Sequence, residues 1–255
     1  MQLALGPRGV SLAGWLALFA AAALAWVLTV QSAMGMPPGP GTMGLGFVGF
    51  LLLWTLMMAA MMLPSVAPTV SLYLRSLRGN ASGLGLVLRS TGLVVGYLAI
   101  WALFGVLAFV AAWAGSMLGA EAPKAAPWVA ALLLAAAGIY QLTPLKDRCL
   151  RHCRSPLGFL LHFGSYHGRL RDLRAGFYHG AYCVGCCWGL MVVLITVGVM
   201  NLPWMVGLAA VIFVEKTWRY GKTFSVAFGI ALIAFACFVP WHASLVPGLY
   251  TTGNM

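Results

Sequence analysis

The chain has 255 residues, of which 62% are hydrophobic and 7% charged, with a mean hydropathy of +0.94. Soluble domains carry about 25% charged residues, so the composition excludes a soluble globular protein and predicts an all-α, polytopic membrane helix bundle. In a soluble domain the net charge of +11 would indicate nucleic-acid binding. Here the basic residues lie in loops and at helix ends, as the positive-inside rule describes, so no nucleic-acid partner is expected.

Apolar segments predict about seven transmembrane helices within a single integral membrane domain. A hydrocarbon core about 30 Å thick needs about 20 helical residues, and the short sixth segment satisfies this least well. A polar loop, predicted to be cytoplasmic, spans 144–175. Pro64 and Pro68 lie in the second span and either kink it or free backbone carbonyls. The predicted spans are 10–30, 44–74, 92–114, 127–143, 176–200, 203–218 and 223–240.

The distribution of basic residues predicts a cytoplasmic N-terminus. With seven spans and this orientation, 14 of the 15 basic residues fall on the inner side, as the positive-inside rule requires. Only Lys124 is left on the outer side. The inner set is Arg8, Arg75, Arg78, Arg89, Lys146, Arg148, Arg151, Arg154, Arg169, Arg171, Arg174, Lys216, Arg219 and Lys222.

The fifth span carries the main candidate metal site. His179, Cys183, Cys186 and Cys187 fall within about a third of a helix circumference. Soft thiolates favour Cu(I) or zinc, and a buried site near methionines favours copper, with zinc or iron as alternatives. Two other interpretations compete: small buried cysteines that only pack helices, and thiol redox chemistry at the C-x-x-C pattern of Cys183 and Cys186.

Two further sets are candidate metal ligands. On a helix, Cys149, His152 and Cys153 share one face in the predicted cytoplasmic loop, where they could accept a metal or pass it on. The alternative is that they are ordinary reduced cysteines in a loop that binds lipid headgroups. Met61 and Met62, in the inner half of the second span, offer thioethers, although packing is the usual role of methionine in an apolar helix.

Glu215 lies near the inner end of the sixth span, where a charged residue is costly and usually has a partner. It is predicted to support the metal site, to handle a proton, or to be the counter-ion of an arginine such as Arg89. Its neighbour Lys216 is expected to extend to the inner surface. The second, fifth and sixth spans are expected to converge at the depth of the cysteines.

Three blocks of the chain, 54–65 (WTLMMAAMMLPS), 145–156 (LKDRCLRHCRSP) and 185–216, which begins GCCWGLM, resemble a bacterial family of uncharacterised integral membrane proteins. That family is described as predicted metal-binding. The resemblance implies a metal-binding role, with copper the usual suspicion, and a place in the bacterial cytoplasmic (inner) membrane. It supplies no reaction.

The predicted function is therefore metal binding, with copper favoured, for metal handling, insertion or export. The alternatives are a membrane thiol oxidoreductase that uses Cys183 and Cys186, and a non-catalytic accessory subunit of a larger membrane complex. An enzymatic activity is not favoured. The expected partners are membrane lipid and a protein, either a subunit of such a complex or a metallochaperone.

Overall fold

A computed structural model describes residues 7–35, 41–77, 83–155, 158, 161, 163, 168 and 170–249. The regular elements in these ranges are all helical, which confirms the predicted all-α class. Arg78, Arg169 and part of the predicted loop 144–175 lie outside the described residues, as does the side chain of Arg8. The helices are α1 (Pro7–Met34), α2 (Phe47–Leu77), α3 (Leu84–Glu121), α4 (Ala126–Leu142), α5 (Pro144–Cys153), α6 (Arg171–Val197), α7 (Leu202–Thr217) and α8 (Gly221–Phe238), followed by two 3-10 turns at Val239–Trp241 and Ala243–Leu245.

Five of the described helices are long and apolar enough to cross a membrane: α1, α2, α3, α6, and α8 with the turn that follows it. A sixth results if α4 and α5, which are bent by 65° relative to each other, form one broken span. Helix α7 has 16 residues, about 24 Å at 1.5 Å per residue, which is shorter than a hydrocarbon core of about 30 Å. The predicted count of seven is not confirmed.

Close backbone contact between α3 and α6 sets the position of the candidate site. A side chain at Gly176 would overlap the carbonyl oxygen of Leu93, and one at Gly96 would overlap the carbonyl oxygen of Leu173. Small residues permit such close approach of helices in membranes. The contact brings Tyr97 of α3 beside α6, on the face that carries the cysteines.

Helix α6 begins earlier than the predicted fifth span. Its first residue is Arg171, so Cys183 lies twelve residues into a helix of 27, about 18 Å from its start at 1.5 Å per residue. The cysteines therefore lie near the middle of α6.

Asp172 ties three helices together at the basic end of the bundle. Arg89 of α3 donates to its carboxylate at 3.2 Å (Nε to Oδ1), and the hydroxyl of Tyr73 of α2 also contacts it. Arg89 is thus the counter-ion of Asp172 and is not that of Glu215.

Candidate metal centre

Three thiols form a compact buried group on α6. The Sγ atoms of Cys183, Cys186 and Cys187 all lie within 4.8 Å of one another, and each residue is at most 1% exposed. The Sγ atoms of Cys186 and Cys187 are 3.3 Å apart. In the part of the chain that the structure describes, this is the one group of His, Cys, Asp or Glu side chains compact enough for a metal ion. All six cysteines are described, and all are free thiols.

Polar atoms from two other helices contact Cys183, and a third helix is joined to them through Lys216. The hydroxyl of Tyr97 lies 2.9 Å from its Sγ. Lys216 of α7 donates to the same Sγ at 2.9 Å and to the hydroxyl of Ser65 of α2 at 3.2 Å. The expectation that Lys216 extends to the inner surface is wrong, because its ammonium group turns into the bundle. The expected convergence of the second, fifth and sixth spans is present, and Lys216 mediates it.

The three residues of the predicted auxiliary set lie against α6 at different points. Cys153 is buried, and its Sγ lies 3.7 Å from that of Cys186. Cys149 faces the backbone of Gly185, where a side chain would come within 3.0 Å of its Sγ. The ring of His152 stacks on Tyr182 with the centroids 3.9 Å apart. Cys153 is therefore the member of this set that contacts the α6 thiols.

The remaining predicted ligands are buried close to these elements. His179 is 4% exposed, and its ring centroid lies 5.9 Å from that of Tyr97. It is not part of the three-thiol group. Met61 and Met62 are at most 2% exposed, and the carbonyl of Met62 accepts a hydrogen bond from Ser65. Metal ligation by these three residues remains a prediction.

Glu215 belongs to a second buried polar cluster. Its carboxylate accepts from Nζ of Lys146 at 2.8 Å and from Nε2 of Gln141 at 3.3 Å. Ser225 donates to the amide oxygen of Gln141 at 3.1 Å. Successive residues on a helix point 100° apart, which is why Glu215 faces α4 and α5 while Lys216 faces the thiols. The partner of Glu215 is thus Lys146, a pairing that the residue pattern alone does not indicate.

Comparison with known proteins places these residues in a family. A family model described as PpoB2, copper chaperone, matches residues 51–239. The chain belongs to this family. The matched region of the copper-chaperone family includes every candidate residue from Met61 to Glu215, and the predicted metal-related family is confirmed at that level. No curated protein and no solved structure matches the chain.

The Lys146–Glu215 pair is expected to behave as a buried ion pair, since both side chains are 1% exposed. Removing one partner leaves a buried charge uncompensated, so Lys146→Met should lower the free energy of unfolding by about 3–5 kcal/mol. Replacing both partners, as Lys146→Met with Glu215→Leu, should recover most of that loss. Unfolding of the purified variants in detergent measures both values.

The exposed pair of Lys222 and Asp147 provides the control. The Lys222 side chain is 68% exposed, so Lys222→Met should change the free energy of unfolding by less than about 1 kcal/mol. A double variant no more stable than Lys146→Met alone would show that the two buried charges do not depend on each other.

Proposed function

We propose that the chain is a membrane-embedded copper chaperone that holds Cu(I) as cargo on the thiolates of Cys183, Cys186 and Cys187. The observation that carries the proposal is the presence of three buried thiols within 4.8 Å of one another. Thiolate is a soft ligand that suits Cu(I). The copper-chaperone description of the family supports the same cargo.

The charges around the thiols fit this cargo. Three thiolates and one Cu(I) carry a net charge of −2, which is costly in a dry interior unless nearby groups compensate. Lys216 supplies a positive charge 2.9 Å from Cys183, and the hydroxyl of Tyr97 supplies a hydrogen-bond donor. The site thus compensates the charge of a thiolate complex in part.

We propose that α5 relays copper to this group. Cys153 on α5 lies 3.7 Å from Cys186, close enough for an ion to change sulfur ligands without entering solvent. Cys149 and His152 precede Cys153 on the same helix. In this proposal α5 exchanges copper with a partner protein, which is a metallochaperone or an acceptor, and α6 retains the copper.

Metal analysis of protein purified in mild detergent tests the cargo and the relay together. The wild type should retain about one copper per chain after removal of excess Cu(I), whereas the Cys183/Cys186/Cys187→Ser triple variant should retain almost none because a hydroxyl is a poor ligand for Cu(I). When Cu(I) is added to the metal-free protein, the Cys153→Ser variant should reach the copper content of the wild type more slowly. The matched control is Cys237→Ser, since Cys237 is exposed on α8 and its loss should change neither quantity.

Equal copper content in the wild type and the triple variant would contradict the proposal. A Cys183–Cys186 disulfide in the wild type, detected by mass spectrometry without reductant, would favour the membrane thiol oxidoreductase instead. Retention of zinc or iron in place of copper would identify a different cargo at the same thiols.

Lys216 should set the affinity for copper. In Lys216→Gln, the copper–thiolate complex loses its compensating charge, so the Cu(I) dissociation constant should rise by about tenfold, equivalent to about 1.4 kcal/mol. Lys216→Arg keeps the charge and should change it less. Competition with a chromophoric Cu(I) chelator measures the constant, with the exposed Lys222→Gln as control. If Lys216→Gln bound copper as tightly as the wild type, the ammonium group would have no part in binding.

We propose that the bundle lies in the bacterial cytoplasmic membrane with its N-terminus inside and seven crossings, α1 to α4 and α6 to α8. Helix α5 then lies along the inner surface. The charges that α5 carries besides the buried Lys146, which are Asp147, Arg148 and Arg151, support this arrangement over one in which α5 completes a broken span. The short α7 crosses with its charged end enclosed by its neighbours.

Reporter fusions test this topology. Alkaline phosphatase, which is active only outside the cytoplasm, should be active when fused after the last residue and inactive when fused after residue 155. A fusion within the connection between α7 and α8 should also be inactive. The reverse pattern, or activity of all three fusions, would rule out the proposed orientation.

A further inference from the structure

A cavity of about 370 Å³ lies at the end of the bundle opposite the basic residues. The last residues of α1, the turn before α2 and the connection from α6 to α7 form its wall. Three of its ten lining residues are methionines, Met34, Met43 and Met200. Methionine makes up only 13 of the 255 residues of the chain, about one in twenty, so thioethers are concentrated at this cavity.

The thioethers are the side-chain groups by which this cavity could bind a soft metal ion. Asn201 is the polar side chain in its wall. Both the nitrogen and the oxygen of its side-chain amide form hydrogen bonds with the nearby backbone. Its Nδ2 donates to the carbonyl of Val197 at 3.2 Å, and its Oδ1 accepts from the backbone N–H of Trp204 at 3.4 Å. Asn201 thus caps α7. The rest of the wall is alanine, valine, glycine, leucine and proline.

The backbone of Met43 is a second and independent observation. Its φ is +55°, and it is the non-glycine residue with positive φ in the described ranges. An L-residue in this region is uncommon and costs about 1–2 kcal/mol. Gly41 and Gly44 in the same turn also have positive φ, so glycine is available to such a turn, yet position 43 carries a side chain. Strain of this kind persists mainly at functional sites.

We propose that Met34, Met43 and Met200 form a thioether site for Cu(I) at this end of the bundle. Thioethers are soft ligands that suit Cu(I). They need no deprotonation, and they do not form disulfides, as thiols do in an oxidising compartment. Met34 is 74% exposed, so a donor or acceptor protein could reach the ion. A cavity of this volume holds an ion together with a side chain of such a partner.

This site is separate from the cysteine group and does not depend on the function proposed for it. Val197 lies ten residues after Cys187 on α6, which is about 15 Å at 1.5 Å per residue. The side chains of Leu190, Val193 and Leu194 in this stretch are at most 1% exposed. One ion cannot contact both sites, so the structure assigns two binding positions to the chain.

The full-length chain in detergent, with Cys183, Cys186 and Cys187 replaced by Ser, isolates the thioether site. Under Cu(I)-generating conditions, with the free Cu(I) concentration held by a weak chelator, this background should bind about one copper per chain. This copper is measured at equilibrium, because the exposed site is expected to lose it when excess Cu(I) is removed. Further change of Met34, Met43 and Met200 to Leu, which conserves volume, should abolish that binding. Met205→Leu is the matched control, because Met205 is buried on α7 but does not line the cavity.

Selenium-edge absorption on chain labelled with selenomethionine identifies the ligands directly. Copper scattering from selenium should be present in the Cys183/Cys186/Cys187→Ser background and absent after the three Met→Leu changes. Copper bound without selenium scattering, or retained after the Met→Leu changes, would overturn the proposal, as would a failure of the background to bind copper.

Met43→Gly keeps the test valid if the triple Met→Leu variant does not fold. Glycine accommodates a φ of +55° without strain, so this variant should unfold at the same temperature as its parent or higher. Its affinity for Cu(I) should nevertheless fall by at least about tenfold, since even changes to groups that merely support a ligand typically cost that much. Unchanged affinity in Met43→Gly would remove Met43 from the site.

Discussion

The ammonium group of Lys216 lies between the Ser65 hydroxyl and the Cys183 thiol, in a bundle with little other charge. A cation in such surroundings must be compensated, and this requirement holds α2, α6 and α7 in one arrangement. The same requirement favours an anionic sulfur beside the ammonium group. A thiolate beside a lysine is compensated, whereas a group of thiolates without a cation would not be. The polar interior is thus consistent with anionic ligands, which is the state in which thiols bind a metal.

The parts of the site that the sequence predicts are those fixed within a single helix. The spacing of Cys183, Cys186 and Cys187 determines a common face in any α-helix, and the structure has them on that face. Tyr97, Ser65 and Lys146 were missed because their positions depend on packing between helices. One signal was available: Gly176 and Gly180 are four residues apart and mark a face of α6 that admits a close neighbour, though not which helix fills it. The inward turn of Lys216 had no local signal, because a lysine at a helix end usually reaches water.

The two ends of the bundle differ in chemistry. Asp172 and Arg89 lie at one end, with the basic termini of α2, α6 and α7, whereas methionines line the cavity at the other. Cytosolic thiols stay reduced, while thiols in an oxidising compartment form disulfides. The proposed thioether ligands, which do not form disulfides, lie at the end opposite the basic residues, and this agrees with the orientation that the charges predict. The apolar stretch between the two sets argues for two holding sites over a continuous conduit.

The role of Glu215 follows from the contacts of α5. Besides its contacts with α6, polar interactions hold that helix to the end of α7 and the start of α8: the buried pair of Lys146 with Glu215, the pair of Asp147 with the exposed Lys222, and, just after the helix, hydrogen bonds from Arg154 to the carbonyls of Trp218 and Arg219. Exposed pairs contribute at most about 1 kcal/mol, whereas a buried pair that loses one member is strongly destabilised. The Lys146–Glu215 pair thus contributes more to holding α5 than the other polar interactions do. Helix α5 in turn carries Cys153, which lies against Cys186. Glu215 therefore holds, through Lys146, the helix that places Cys153 beside Cys186.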